Sequence, residues 1–231
     1  FVFTANVDAG VVTGSGYSNS ADVNGDSQDG VVAEERSPSD SDSDALSIPQ
    51  LTMGKALVAT SENHTDPGDA NLGAAPNVAI GEVLTYDLTF TLPEGVTRNV
   101  VLLDLIPTGL AYIPGSATLD RSSVALTAAT DPGSINSNTP GVPVAVTVDT
   151  GTPGQISLDL GDVTNSDTDN GTAEVVTFTV QMVAENIASN VQGTLLANNG
   201  RFEFDDLAGT TFGMTTADVE VHIAEPLVGI T

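Results

Sequence analysis

The chain has 231 residues, 31 acidic against 5 basic, for a formal net charge of −26, and contains neither cysteine nor tryptophan. A surface of that sign excludes nucleic acid, whose phosphates need Lys and Arg, and disfavours anionic membranes; the absent thiols exclude a disulfide framework and thiolate metal sites. With aromatics at 4% the core has to be built from Val, Leu, Ile and Ala, and no stretch approaches the run of about 18 apolar residues that a membrane helix needs.

The first residues, Phe1-Val-Phe-Thr4, follow no charged-then-apolar leader, which reads as a mature or internal start with any export signal gone. Residues 1–50 are polar and turn-rich, with Gly14-Ser-Gly16, Asp22-Val-Asn24-Gly-Asp26-Ser-Gln-Asp29-Gly30 and Ser37-Pro-Ser-Asp-Ser-Asp-Ser-Asp44. That composition predicts a loop or linker, with strands only over Phe1–Val12 and Ala45–Leu51. From residue 51 the pattern becomes regular. Val83–Leu92 alternates apolar and polar residues, the period-two signature of a half-buried strand. Asn99–Ile106 is a short apolar run and predicts a strand buried on both faces. Further strands are expected at Ala111–Leu119, Val142–Val148, Gln155–Leu160, Val175–Val183, Leu195–Phe204 and Asp218–Ile223, separated by Gly, Pro, Asn and Asp clusters. Only Glu185–Gln192 suggests a short turn of helix.

Many short strands with turn punctuation predict an all-β fold: an immunoglobulin-like antiparallel β-sandwich of Greek-key type, preceded by an acidic extended N-terminal segment. The expected organisation has three parts. Residues 1–50 are a linker or the closing strands of a preceding module, 51–224 form the sandwich, and 225–231 are a linker or donor strand toward a next module. A partial repeat supports this register: Asp44–Lys55 resembles Asp218–Thr231, and a second lysine is expected immediately after Thr231.

The chain has a single lysine, Lys55. Lys55, then Gly81-Glu-Val-Leu-Thr-Tyr86, then Asn99-Val-Val-Leu-Leu-Asp104-Leu-Ile-Pro107-Thr-Gly-Leu-Ala-Tyr112, then Asn198-Asn-Gly-Arg-Phe202-Glu-Phe204 together resemble a DUF11-type repeat domain. They are also similar to the isopeptide-forming domain of Gram-positive fimbrial shaft proteins. The resemblance covers about residues 51–224, with Gly200 where the pattern has Ala, and Phe202 and Phe204 where it has Val and Tyr. It implies an extracellular, sandwich-like, repeat-forming module. It also implies an autocatalytic crosslink in which Lys55 attacks the Asn198 side-chain amide with Asp104 as the assisting acid. The residue types suit that chemistry. Burial lowers a lysine pKa and yields the neutral amine, and a carboxyl group kept protonated by burial can polarise a poor electrophile. Set against this, Lys55 reads equally as an edge-strand lysine, Asp104 as a turn-former and Asn198-Asn-Gly200 as a turn. Asn199 is the alternative acceptor, on the opposite face of the strand.

Other candidate sites follow from spacing. Asp22, Asn24 and Asp26, with Asp29 further on, have the alternating oxygen ligands of a calcium loop, although its twelfth position is Ala33 and not Glu; a solvated acidic linker is the competing reading. Asn165, Asp167, Asp169 and Asn170, and the pair Asp205 and Asp206, repeat that signal more weakly. Asn63-His-Thr65 and Asn170-Gly-Thr172 fit the N-glycosylation acceptor. His64 and His222 lack a partner set. The sum predicts a non-enzymatic structural module of an extracellular filament, fimbria or surface layer. It would need no cofactor other than optional calcium and would partner copies of itself by strand addition, with no nucleic acid and no membrane insertion. The alternative is a carbohydrate-binding or adhesin sandwich with a cell-surface ligand.

Overall fold

Residues 83–92 alternate between core and surface along their whole length, and the sandwich is organised around them. The computed structural model describes residues 16–26, 33, 36–47, 51–62, 75–168 and 173–224. They fall into two compact units, Phe1–Gln50 and Leu51–Thr231.

In the first unit, β1 (Gly16–Asn24) and β2 (Ser39–Ser47) form an antiparallel hairpin whose register runs from Gly16↔Ser47 to Asn24↔Ser39. Composition predicts loop or linker here apart from a strand at Ala45–Leu51, which overlaps β2 only at Ala45–Ser47. Apolar periodicity gives no signal for β1 or for the rest of β2, where serine alternates with Asp40, Asp42 and Asp44. Each of these carboxylates accepts the backbone N–H of the residue after it, so the strand is organised by polar contacts. The expected strand Phe1–Val12 lies outside the described residues.

The second unit contains β3 (Thr52–Thr60), β4 (Asn77–Ala79), β5 (Val83–Leu92), β6 (Gly95–Leu105), β7 (Leu110–Tyr112), β8 (Thr118–Arg121), β9 (Leu126–Ala128), β10 (Val144–Ala145), β11 (Gln155–Asn165), β12 (Glu174–Ala184), β13 (Leu195–Asp205), β14 (Thr211–Thr215) and β15 (Val219–Ala224). They make two sheets. One has the order β10-β8-β12-β5-β3, with β7 also on β12; the other has the order β4-β15-β13-β6-β11-β9, with β14 also on β13. Pairing is antiparallel throughout except between β15 and β4. The fold is the expected all-β sandwich.

The core follows from period two. Leu84, Tyr86, Leu88, Phe90 and Leu92 of β5 and Val176, Phe178, Val180 and Met182 of β12 are buried against Val100 and Leu102 of β6, Ile156, Leu158 and Leu160 of β11, and Leu196 and Phe202 of β13. Phe90 and Phe202 meet in a tilted pair with centroids 5.1 Å apart. β6 buries only one face: Val100, Leu102 and Asp104 point inward, while Val101, Leu103 and Leu105 are half-buried outside, which corrects the expectation of burial on both. The expected strand 111–119 is divided into β7 and β8 by a turn at Pro114-Gly115, where Ser116 N–H bonds back to Ile113 O. Of 142–148 only β10 pairs. Glu185–Gln192 is not helical. Instead the Asn190 amide donates to the carbonyls of Gly109 and Glu185 and replaces helical bonding. A 3-10 segment, Pro132–Ser137, was not foreseen.

The unit has a direction. Leu51 enters beside the Leu92 end of β5, since Thr52 pairs with Thr91. The chain leaves from Ala224, which pairs with Ala79, next to Gly81, whose N–H binds Ala184 O at the Val83 end of the same sheet. The two points are separated by the length of β5, about 30 Å at 3.3 Å per residue.

Candidate functional site

Lys55 sits on β3, an outer strand of the first sheet, in register with Leu88 of β5. Asp104 sits on β6, near the middle of the second sheet, between Ile156 of β11 and Gly200 of β13. Both side chains point between the sheets, and both are essentially excluded from solvent, at 0% and 1% side-chain exposure. The long lysine stem spans the core and places Nζ 2.6 Å from Asp104 Oδ2. Nζ also donates to the Asn199 carbonyl at 3.1 Å and lies 5.3 Å from the centroid of the Tyr86 ring.

Asn198 faces inward from β13 and is fully buried. Its Nδ2 contacts Met182 Sδ at 3.4 Å, a weak acceptor, and its Oδ1 has no hydrogen-bond partner. The amide stands close enough to Asp104 to help hold the carboxylate, although no directed hydrogen bond joins the two. Asn199 faces out, and its Nδ2 donates to Asp218 Oδ1 at 2.8 Å.

Burial governs the electrostatics. It pushes the Lys55 amine below the ordinary lysine range, against the attraction of Asp104. It pushes the Asp104 carboxyl above the ordinary carboxylate range, against the pull of Lys55 and Asn198. Both shifts favour the neutral tautomer of the pair, an amine beside a carboxylic acid. The Tyr86 phenol is also pushed up, first by burial and then by the Asp104 charge, and its hydroxyl has no hydrogen-bond partner. The site therefore combines an amine, an acid and a buried amide carbonyl with an unused lone pair. Those are the parts of an amide exchange. Two contributors were not assigned a role from sequence: the Asn199 carbonyl, because a backbone group carries no residue signal, and Tyr86, which was legible only as part of the Gly81–Tyr86 phrase.

The other candidates are placed as follows. Asp22 and Asn24 lie in extended β1, opposite Ser41 and Ser39, and Asp26 Oδ1 accepts from Ser37 Oγ. Asp29, Asn63, His64, Asp169 and Asn170 lie outside the described residues. Among the described residues no three His, Cys, Asp or Glu gather as a metal site. The Asn165 amide ties Leu92 O to buried Glu174. Asp205 accepts from Asn99 and Thr211, which hold its carboxyl below the usual range, and Asp206 bonds the backbone of its own loop. His222, on β15, pairs with Asn77 of β4. A surface groove near Ala184 is lined by Pro107, Tyr112, Pro114, Pro153 and Glu185 among others; Tyr112 is the one aromatic there, short of the platform a sugar ligand needs.

No protein-family model matches the chain, and no curated protein matches it. Solved structures with a similar course of strands include the major pilin subunit BcpA of Bacillus cereus, at 11% identity and TM-score 0.43, covering 75% of this chain and 40% of that one. The pilus backbone RrgB of Streptococcus pneumoniae matches at 14% identity and TM-score 0.43, over 68% and 53% of the two chains. The collagen-binding domain of the Erysipelothrix rhusiopathiae surface protein RspB matches at 11% and 0.38, over 88% and 58%. This chain thus spans between two fifths and three fifths of each of those proteins.

Proposed function

We propose that residues 51–224 are a structural module of an extracellular filament, fimbria or surface layer, joined end to end with copies of itself and closed by a covalent bond between Lys55 and Asn198. One observation carries the reading: a fully buried Lys55–Asp104 pair beside a fully buried asparagine whose carbonyl oxygen is unpartnered. Leaving such polar groups in a core costs several kcal/mol unless they are paired or consumed. The DUF11-type and fimbrial-shaft resemblance of Lys55, Asp104 and Asn198 points to the same reaction.

The chemistry needs only this chain's own side chains. A proton passes from the Lys55 ammonium to the Asp104 carboxylate. The neutral amine attacks Cγ of Asn198, while the Asp104 acid proton stabilises the carbonyl oxygen or the departing nitrogen. The Nζ–Cγ bond forms, the Cγ–Nδ2 bond breaks, and ammonia leaves carrying the proton that the amine loses. The event occurs once per molecule and is maturation, without turnover.

Its mechanical consequence follows from the topology. For a pull applied between Leu51 and Ala224, the bond carries load from Lys55 to Asn198, so residues 56–197 bear no tension. By analogy with a long-loop disulfide, the closure contributes about 3–5 kcal/mol through the unfolded state. Intact mass tests the reading: the purified protein is expected about 17 Da below its sequence mass, the loss of one ammonia when an activated lysine forms an amide. An unchanged mass, with Lys55 open to amine reagents in the native protein, would overturn it.

A further inference from the structure

The edges of the two sheets differ sharply in length. Among the described residues β4 and β9 have three residues, β10 has two and β14 has five, whereas β3 has nine and pairs with β5 alone. Natural sheets protect an edge by shortness, charge, proline or a bulge. β3 has no proline, and its one ionisable residue, Lys55, turns its side chain inside to Asp104. Its exposed positions are Thr52, Ala56, Val58 and Ala59, with Val58 at 51% exposure. In a chain where 16% of residues are charged, this edge shows solvent none. The single blunting device is a bulge at Val58, between the Leu57↔Tyr86 and Ala59↔Thr85 pairs, and it leaves Thr52–Leu57 regular.

We infer that the free edge of β3 is the acceptor for a strand donated by a second copy of this chain, and that the donor is residues 1–9. This rests on the reading of the module as self-assembling and names its contact. Three parts of the chain outside the described residues are long enough to donate. Residues 225–231 carry Pro226 and Gly229, and residues 63–74 carry Pro67, Gly68 and Gly73; each interrupts a ladder of backbone hydrogen bonds. Phe1-Val-Phe-Thr-Ala-Asn-Val-Asp-Ala9 has neither Gly nor Pro before Gly10, is rich in Phe, Val and Thr, and carries one charge. Its nine residues equal the length of β3. Main-chain bonds along the edge would supply affinity, and the uncharged β3 surface sets no repulsion against it. Donor and acceptor are different parts of one chain, so the contact is head-to-tail and propagates as a filament wherever the rotation between copies does not close a ring.

The experiment compares the full chain, a chain lacking residues 1–12, and the edge variant Ala56→Lys/Val58→Lys. Light scattering and electron microscopy follow assembly, intact mass reports the crosslink separately, and a labelled peptide of residues 1–12 probes the edge directly. The expected result is concentration-dependent assembly of the full chain, loss of assembly in both variants, and peptide binding to the truncated chain that weakens about ten-fold or more in the edge variant. Assembly of the edge variant equal to that of the full chain would overturn the β3 contact and leave the filament reading standing. A monomeric full chain whose truncated form binds the peptide through β3 would show the donor acting on its own edge and overturn the second-copy occupant. A truncated chain that fails to bind the peptide at all would overturn the donor assignment, whatever the mass shows.

Discussion

Gly200 faces Leu88 across the sandwich so closely that a β-carbon on Gly200 would stand 2.5 Å from Leu88 Cδ1. Gly200 is in register with Asp104 and Leu88 with Lys55, so the tight approach of the two sheets falls where the ion pair crosses the core. A lysine reaching from an outer strand to the middle of the opposite sheet depends on that proximity. Replacing Gly200 by Ala, the residue of the resembled pattern, overpacks the site and is expected to destabilise the protein by about 1–3 kcal/mol. Combining it with Leu88→Ala should return part of that loss in urea unfolding, and a purely additive double variant would remove the contact as the cause.

The Lys55–Asp104 pair is expected to be costly to break and cheaper to replace. In an Asn198→Ala background, which cannot crosslink, Lys55→Met alone leaves a buried carboxyl and should cost about 3–5 kcal/mol. Lys55→Met with Asp104→Leu removes both buried polar groups and should cost less than the single change. Urea midpoints of the three chains decide it.

The pH dependence has a definite sign. In the Asn198→Ala chain the Asp104 pKa lies above its ordinary value of 3.8, so its contribution to stability is fully present below 3.8 and is lost as pH rises through the folded value. Lys55 lies below 10.5, so its contribution is present above 10.5 and is lost as pH falls through the folded value. Relative to a chain that also carries Lys55→Met and Asp104→Leu, stability should therefore be lowest between the two titrations. The crosslinking rate should behave oppositely. The amine–acid tautomer needs one proton on the pair, so the rate of mass loss on refolding should be bell-shaped in pH, with its limbs belonging to the pair. A rate rising monotonically with pH would exclude Asp104 as the proton carrier.

Arg121 should matter for folding and leave the crosslink alone. Nearly buried at 3% exposure, it donates to Asn138 Oδ1 and to the carbonyls of Leu126, Asn136 and Asn138, pinning residues 126–138 by a fork that lysine cannot reproduce. Arg121→Lys is expected to cost about 1.5–3 kcal/mol, the range for hydrogen bonds to a charged donor. Intact mass should still show the loss of ammonia.

Strand alternation was plain in the residues where one face is apolar: 83–92 and 155–160 in the sequence correspond to β5 and the first part of β11. It failed where the alternation was of serine and aspartate, as over 39–44 of β2, because hydropathy cannot see a strand segment whose side chains are all exposed. It also failed where an outward Leu103 or Leu105 imitated a buried face. Lys55 stood out by composition alone, since a chain with one lysine marks that lysine. Its partners did not stand out so clearly: Asp104 is one of 31 acidic residues, and Asn198 was separable from Asn199 only by the direction each takes from β13.

The sequence by itself determined an acidic all-β chain, its strand faces and its one lysine, because charge and period-two alternation are local properties. Only the tertiary structure decided that Lys55 is shut inside against Asp104 beside Asn198, because that depends on two sheets meeting at Gly200 and Leu88. Only the structure decided that the edge which carries Lys55 is long and uncharged, because its one ionisable side chain has been turned inward.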